Sequence, residues 1–223
     1  LNRPPSCTVP PLMDRPANPP LNKGYHLIQR MLGPIVRGYS RVELHGVENL
    51  PVGGALLALN HSGSMWWDVL CLAAGVRDRQ IQFIAHHWDG RVPIVHDVVR
   101  ALGNHFLDER TESITSDNTV VRELASGALM AIFPEESYHT FWNRYDLFEF
   151  TPHVIRYAQL ARVPIIPVAV IGVEEAAPTF FGVKRAGVPL HVPLHPPLIF
   201  PFKVQIEFGQ PMDADTLVNG GRL

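Results

Sequence analysis

Short apolar segments that alternate with helical patterns are the feature that most constrains how this chain folds. From Arg41 onward, apolar runs of strand length recur, and stretches with helical spacing separate them. The predicted strands are 42–45, 55–59, 81–85, 128–133, 164–171 and 203–208, and the predicted helices are 68–74, 93–102, 118–125 and 152–161. Strands that alternate with helices build sheets with helices on their faces. The sequence therefore predicts the α/β class, with a mostly parallel or mixed central sheet flanked by helices.

Two segments differ from this pattern and precede the main domain, which we predict to comprise residues 41–223. Residues 1–20 contain seven prolines, which exclude a helix or a central strand and predict an extended arm. Residues 21–40 have apolar side chains at helical spacing and predict an amphipathic helix. Gly33-Pro34 interrupts this helix, so we expect it to be kinked or divided in two.

The predicted helix also carries basic residues roughly opposite its apolar side. They are Lys23, Arg30, Arg37 and Arg41. A basic face opposite an apolar face suits the surface of an anionic membrane. The same pattern also fits an ordinary surface helix whose apolar side packs on the core, and the sequence leaves both interpretations open.

Composition excludes several classes of protein. The net charge of −2 gives no basic surface for nucleic acid. The two cysteines, Cys7 and Cys71, form neither a disulfide framework nor a metal-ligand pattern. No apolar run reaches the roughly 18 residues of a membrane span, and no signal-peptide core is present. We therefore expect a cytoplasmic protein that meets lipid peripherally.

Two groups of residues that can carry chemistry follow predicted strands. The run from Asn60 to Asp68 contains His61, and a carboxylate beside a histidine can fix its tautomer and stabilise its protonated form. Phe133-Pro134-Glu135-Glu136 ends another strand with two adjacent acids. These acids also fit a solvated helix N-terminus.

A third group runs from Gly103 to Arg110, a turn and a short strand that lead to an arginine. Arginine binds phosphate or carboxylate through two parallel hydrogen bonds. A surface ion pair with Asp108 or Glu109 is an equally good interpretation of Arg110.

Taken together and in this order, the three groups resemble the motifs of the glycerolipid (lysophospholipid) acyltransferase family. The resemblance covers roughly residues 41–210. It includes the lead-in Val42–Pro51, the proline-containing run Pro164–Val170 and the closing Phe208–Pro211. The motif spacing is most similar to the monoacylglycerol-acyltransferase-like branch.

The resemblance implies a role for each motif residue. His61 is the general base, Asp68 orients it, Glu135 binds acceptor hydroxyls, and Arg110 binds a phosphate if one is present. The neighbouring Asn60, Ser62, Gly63 and Glu136 are expected to contribute to substrate binding. The implied donor is an acyl thioester of coenzyme A or of acyl carrier protein, the implied acceptor is a lipid, and no cofactor or metal is implied.

Three departures from the family pattern bear on these expectations. The family has four residues between its His and Asp, whereas six separate His61 from Asp68. We expect residues 62–64 to loop out, so that the two side chains still bond. Glu136 replaces a common glycine, and no arginine follows at 137–140, which argues against a phosphate-bearing acceptor because carboxylate repels phosphate. Arg110 lies one residue later than the family pattern.

Other functions are possible for this sequence. A non-catalytic lipid-binding member of the family would tolerate the altered spacing and Glu136. A metal-dependent hydrolase could use His86, His87, His96 and His105, but their spacing is too wide for a typical zinc site. No Gly-x-Ser-x-Gly segment is present for a serine esterase. Acyl transfer remains the main prediction.

Overall fold

The computed structural model describes residues 22–61, 66–85, 93–107, 110–135, 139–180, 182–184, 191–193 and 198–220. Its helices are α1 (Lys23–Tyr39), α2 (Trp67–Gly75), α3 (Pro93–Ala101), α4 (Thr119–Ala125), α5 (His153–Ala161), α6 (Val173–Ala176) and α7 (Ala214–Gly220). Its strands are β1 (Glu43–His45), β2 (Ala55–Leu59), β3 (Ile81–Ala85), β4 (His105–Phe106), β5 (Leu129–Ile132), β6 (Ile165–Ile171), β7 (Gly182–Lys184), β8 (His191–Pro193) and β9 (Gln205–Phe208). The proline-rich segment 1–20 lies outside the described residues.

Seven strands form a mixed sheet in the order β1-β9-β6-β2-β5-β3-β4. Neighbouring strands are parallel except β6 and β9, which are antiparallel. The α/β class with a mixed, helix-flanked sheet is therefore confirmed. The central strands β2 and β5 are almost entirely buried, because helices cover both faces of the sheet.

Each face of the sheet has its own apolar core. On one face, Leu57 and Leu59 of β2 pack with Cys71 and Leu72 of α2. On the other face, Leu56 belongs to a core that Val120, Val121 and Leu124 of α4 and Tyr157 and Ala158 of α5 complete. The alternation of side chains along β2 thus supplies both cores. Two rigid layers of helices fix where the strand ends lie.

The predicted elements agree with the observed ones to within two residues. The main difference lies in 178–201, where the prolines and the lack of periodicity predict a loop. Within it, β7 and β8 pair as an antiparallel hairpin. The six prolines of 178–201 conceal this hairpin, because they break the alternating pattern by which strands are recognised.

The helix α1 is continuous through Pro34, so the expected division into two helices is wrong. Contacts with α2 hold both halves of α1. Gln29 donates to the Ala73 and Val76 carbonyls, and Arg37 donates to the Ala74 carbonyl at 2.7 Å. These bonds cap the carboxyl end of α2 and offset the single backbone hydrogen bond that proline removes.

The orientation of α1 leaves part of its apolar side exposed. Its buried residues are Tyr25, Gly33 and Val36. The large apolar side chains of Leu27, Met31 and Ile35 are 56%, 64% and 64% exposed. The buried Tyr25 and Val36 fit an ordinary surface helix, whereas the described part of the chain leaves the stripe of Leu27, Met31 and Ile35 exposed, so both interpretations stay predictions.

Two of the four basic residues in and after α1 are bonded to the protein itself. Arg37 is half-buried and bonded to α2, and Arg41 donates to the Pro201 carbonyl at 2.8 Å. The other two, Lys23 and Arg30, are exposed. Within the described part of the chain, neither of them bonds to a backbone carbonyl.

Candidate active site

The candidate site lies where the neighbouring parallel strands β2 and β5 end. Their register pairs Ala58 with Ile132, and His61 and Glu135 each follow three positions later. The carboxyl ends of parallel strands are where α/β proteins place working side chains. The imidazole of His61 also packs on the Phe133 ring, with 4.1 Å between ring centroids. The two sequence groups that contain His61 and Glu135 therefore meet at one edge of the sheet.

His61 and Asp68 form a buried acid–base dyad. His61 Nδ1 lies 2.6 Å from Asp68 Oδ2, and the exposed fractions of the two side chains are 7% and 0%. Because an ionised carboxylate only accepts hydrogen bonds, Nδ1 carries the proton of the neutral ring. The lone pair then resides on Nε2. This is the tautomer that a general base requires.

The start of α2 explains how Asp68 reaches His61 across six intervening residues. The helix begins at Trp67, so Asp68 lies in its first turn, where Asp68 Oδ1 also accepts the Val69 N–H. Trp66 precedes the helix with φ +53°, a left-handed conformation that costs roughly 1–2 kcal/mol outside glycine. The predicted contact between His61 and Asp68 is confirmed, and their catalytic roles remain predictions. Residues 62–65, including Ser62 and Gly63, lie outside the described part of the chain.

Asn60 links the end of β2 to the adjacent strand β6. Its side-chain amide donates to the Val170 carbonyl at 2.9 Å and accepts from the Val170 N–H at 2.8 Å. These two hydrogen bonds to the main chain fix the position of Asn60, the residue that precedes His61. The structure thus gives Asn60 a positioning role, and its predicted contact with substrate stays a prediction.

Glu135 is buried and paired with a histidine that the sequence did not identify. Its Oε2 lies 2.6 Å from His139 Nε2 and accepts the Phe148 N–H at 3.2 Å. Its other oxygen, Oε1, is buried without a hydrogen-bond partner among the described residues. The only signal in the sequence was the spacing of four residues, which indicates contact only where a helix is predicted, and none is predicted here. Glu136 lies outside the described residues.

Arg110 sits at the far side of the same sheet edge. It follows β4 and directly precedes the short 3₁₀ helix 111–113, and its side chain is exposed. Its predicted phosphate-binding role stays a prediction. Of the histidines considered as metal ligands, His105 bonds Glu123 and His96 lies beside Asp97, and the part of the chain that the structure describes contains no cluster suited to a metal.

Comparison with known proteins identifies the family of this chain. Residues 41–171 match the Acyltransferase family. An uncharacterized protein of Mycobacterium leprae is 32% identical over 209 residues, which cover 83% of this chain and 54% of that protein. A protein of Gallus gallus named DGAT1/2-independent enzyme synthesizing storage lipids is 29% identical over 210 residues, with coverages of 87% and 60%. The chain thus spans little more than half the length of the curated relatives it matches.

Among solved structures, the chain resembles the crystal structure of PlsC, the 1-acyl-sn-glycerophosphate (LPA) acyltransferase of Thermotoga maritima. The TM-score is 0.60 at 19% identity, over 86% of this chain and 69% of that chain. At this identity the likeness concerns the fold. The fold and the dyad define an α/β protein with an acid–base pair at the carboxyl edge of its sheet. Since the family match covers more than half of its length, the chain belongs to the acyltransferase family.

Proposed function

We propose that this protein is an O-acyltransferase that moves a fatty acyl group from an acyl thioester to a hydroxyl of a glycerolipid or lysophospholipid. The observation that carries the proposal is the buried His61–Asp68 dyad at the end of β2. A histidine oriented by a carboxylate is suited to deprotonate a hydroxyl during attack on a carbonyl. The Thermotoga protein is a 1-acyl-sn-glycerophosphate (LPA) acyltransferase and the Gallus protein is named as an enzyme synthesizing storage lipids, and both names support a lipid acceptor.

The dyad would act through His61 Nε2. This nitrogen takes the proton of the acceptor hydroxyl while the hydroxyl oxygen bonds to the thioester carbonyl carbon. Asp68 stabilises the resulting imidazolium through Nδ1–H. The tetrahedral intermediate then expels the thiolate of coenzyme A or acyl carrier protein, which takes the proton from Nε2. No step needs a metal or a bound cofactor.

An apolar cleft between α1 and α2 offers a place for the acyl chain. Ile28, Leu32 and Val36 line the cleft from α1. Val69, Leu70 and Ala73 line it from α2, directly after Asp68 in sequence. Sites that bind apolar ligands are lined mostly by hydrophobic side chains, as this cleft is. We assign the acyl chain to this cleft.

Access to such substrates requires a membrane surface. Among the described residues, no helix is both long and apolar enough to cross a bilayer. The exposed apolar stripe of α1 (Leu27, Met31 and Ile35) lies beside the cleft that Ile28 and Leu32 line. The exposed Leu198, Phe200 and Phe202 adjoin α1, because Tyr39 donates to the Ile199 carbonyl. We propose that these two surfaces together bind the protein peripherally to lipid.

The deciding experiment supplies labelled acyl-coenzyme A with a panel of neutral monoglycerides, lysophospholipids and glycerol phosphate. Wild-type protein should acylate at least one lipid acceptor. His61→Asn keeps an N–H that can bond Asp68 but has no base, so transfer should fall by roughly 10²–10⁴ while the melting temperature stays close to wild type. Lipid binding without transfer from any donor would instead identify a non-catalytic member of the family.

A further inference from the structure

The pair of Glu135 and His139 shares one proton, and the contacts show where the proton lies. His139 Nδ1 is 3.0 Å from the Asn143 carbonyl, and a carbonyl only accepts, so Nδ1 carries a hydrogen. His139 Nε2 is 2.6 Å from Glu135 Oε2, a distance that requires a second hydrogen between these atoms. Phe148 N–H donates to the same Oε2, which favours the carboxylate. The pair is thus an imidazolium that donates to a carboxylate.

The surroundings hold the ring of His139 rigidly. The Phe148 ring stacks on it with 4.4 Å between centroids, and the 3₁₀ helix 141–143 presents the Asn143 carbonyl. Thr140 and Asn143 exchange hydrogen bonds and fix the start of that helix. His139 is 4% exposed, so water does not compete for its bonds. Glu135 is therefore anchored through Oε2 alone.

Glu135 Oε1 is the group that this arrangement leaves unused. It is buried, belongs to a charged carboxylate and has no donor among the residues that the structure describes. Such an oxygen costs free energy unless a donor arrives from outside. Glu135 follows β5 at the same sheet edge as His61, and its side chain has no exposed surface, so an acceptor supplies that donor only if its binding displaces the contacts that cover Oε1.

We infer that His139 is a positioning residue that anchors Glu135 through Oε2, so that Oε1 accepts a hydrogen bond from a second hydroxyl of the acceptor. This inference rests on the proposed acyl transfer. It assigns the acceptor to a class with at least two donors near one another, one for His61 and one for Glu135. The hydrogen that the pair shares also leaves Glu135 and His139 together without net charge.

Two substitutions of His139 distinguish the roles of its two ring nitrogens. In His139→Gln, the amide nitrogen takes the place of Nε2 and still donates to Glu135, whereas in His139→Asn it takes the place of Nδ1 and reaches only Asn143. We expect His139→Asn to raise the KM for the acceptor by about tenfold or more, as loss of a hydrogen bond to a charged group does. The KM for the acyl donor should not change. His139→Gln should restore an acceptor KM near that of wild type.

A core truncation serves as the control for lost stability. Leu124→Ala, in the helix layer on the opposite side from α2, should lower the melting temperature without moving either KM per folded molecule. Equal acceptor KM values for His139→Asn and wild type would overturn the inference while leaving the proposed function intact. A wild-type protein that transfers no acyl group would refute the proposed function itself.

A spectroscopic readout tests the pair without any assay of activity. In protein labelled with ¹⁵N-histidine, one histidine should show hydrogens on both ring nitrogens at neutral pH, and His139→Gln identifies its signal. In Glu135→Gln that histidine should become neutral, because the carboxylate that holds its proton is gone. A neutral His139 in the wild type would contradict the shared proton.

Discussion

Two buried histidines, His61 and His139, each face a carboxylate at 2.6 Å, but their ring nitrogens have different assignments. His61 donates a hydrogen bond from Nδ1 to the Asp68 carboxylate, and in this tautomer the lone pair of Nε2 points away from the dyad. His139 uses Nε2 for its acid and Nδ1 for a carbonyl, so both of its nitrogens already donate. At the scale of single residues, these contacts assign base chemistry to His61 and an anchoring role to His139.

The tautomer argument predicts the effect of changing Asp68. Asp68→Asn preserves shape, but its amide can donate to Nδ1 and then favours the hydrogen on Nε2, where the base needs a lone pair. We expect kcat to fall by at least about a hundredfold with a small change in either KM, since the same substitution in serine proteases costs about 10⁴. Steady-state kinetics with the best lipid acceptor measures this. A kcat equal to that of wild type would rule out the orienting role of Asp68.

Burial also decides the reactivity of Cys71. Desolvation raises the pKa of its thiol to about 12, although a hydrogen bond with Ser40 acts in the opposite direction. The thiolate is the reactive form, so native protein at pH 8 should leave Cys71 unmodified by iodoacetamide. Mass spectrometry of the Cys71 peptide should find the label only after denaturation. Rapid labelling of native protein would show that the core around α2 opens readily.

At the scale of elements, the sequence predicted the bounds of the helices and strands but not which of their side chains are buried. The bounds of β2 and β3 follow from apolar runs, and the contact of Asp68 with His61 was expected from the position of both residues around the start of α2. The orientation of α1 could not be predicted, because apolar residues lie on more than one side of this helix: Tyr25 and Val36 are buried, whereas Met31 and Ile35 remain outside. The contact of His139 with Glu135 could not be predicted either, because no helix or strand was predicted between them to relate sequence spacing to distance.

The exposed stripe of α1 predicts how the protein binds membranes. Met31→Glu together with Ile35→Glu should abolish most binding to liposomes, because each apolar side chain lost from the lipid phase costs roughly 1.5–3 kcal/mol. Vesicle co-sedimentation measures the bound fraction. Turnover of a short-chain, water-soluble substrate should persist, because neither residue lines the cleft.

The matched control replaces an exposed apolar residue elsewhere. Val52 is 77% exposed and precedes β2, at the sheet edge opposite the candidate site, so Val52→Glu should not affect binding. Lys23→Gln with Arg30→Gln should weaken binding to anionic vesicles about thirtyfold at low salt, at about 1 kcal/mol per cation, and salt should reduce this difference. Liposome binding by the Met31, Ile35 variant at the wild-type level would assign membrane contact to another surface.

For the whole molecule, stability should depend on pH through His105. Burial lowers the pKa of His105, and the nearby Glu123 carboxylate offsets only part of this effect. Below the unfolded pKa of about 6.5, the unfolded chain therefore binds more protons than the folded one, and stability falls as pH falls. His105→Gln should flatten the decline of the free energy of unfolding below about pH 6.5 in urea titrations. An equal slope in both proteins would assign the decline to other groups.

The pairing of β1 with β9 has a consequence for how the protein is made. The strand that follows α1 has β9 as its sheet neighbour, and the contacts of Tyr39 and Arg41 beside it also join residues 160 positions apart. During synthesis, this edge of the sheet stays open until residues 205–208 have left the ribosome. Contacts of such long range form late because closing so large a loop costs chain entropy. A nascent chain arrested before β9 should therefore be cut by protease near residues 40–45, whereas the released protein resists.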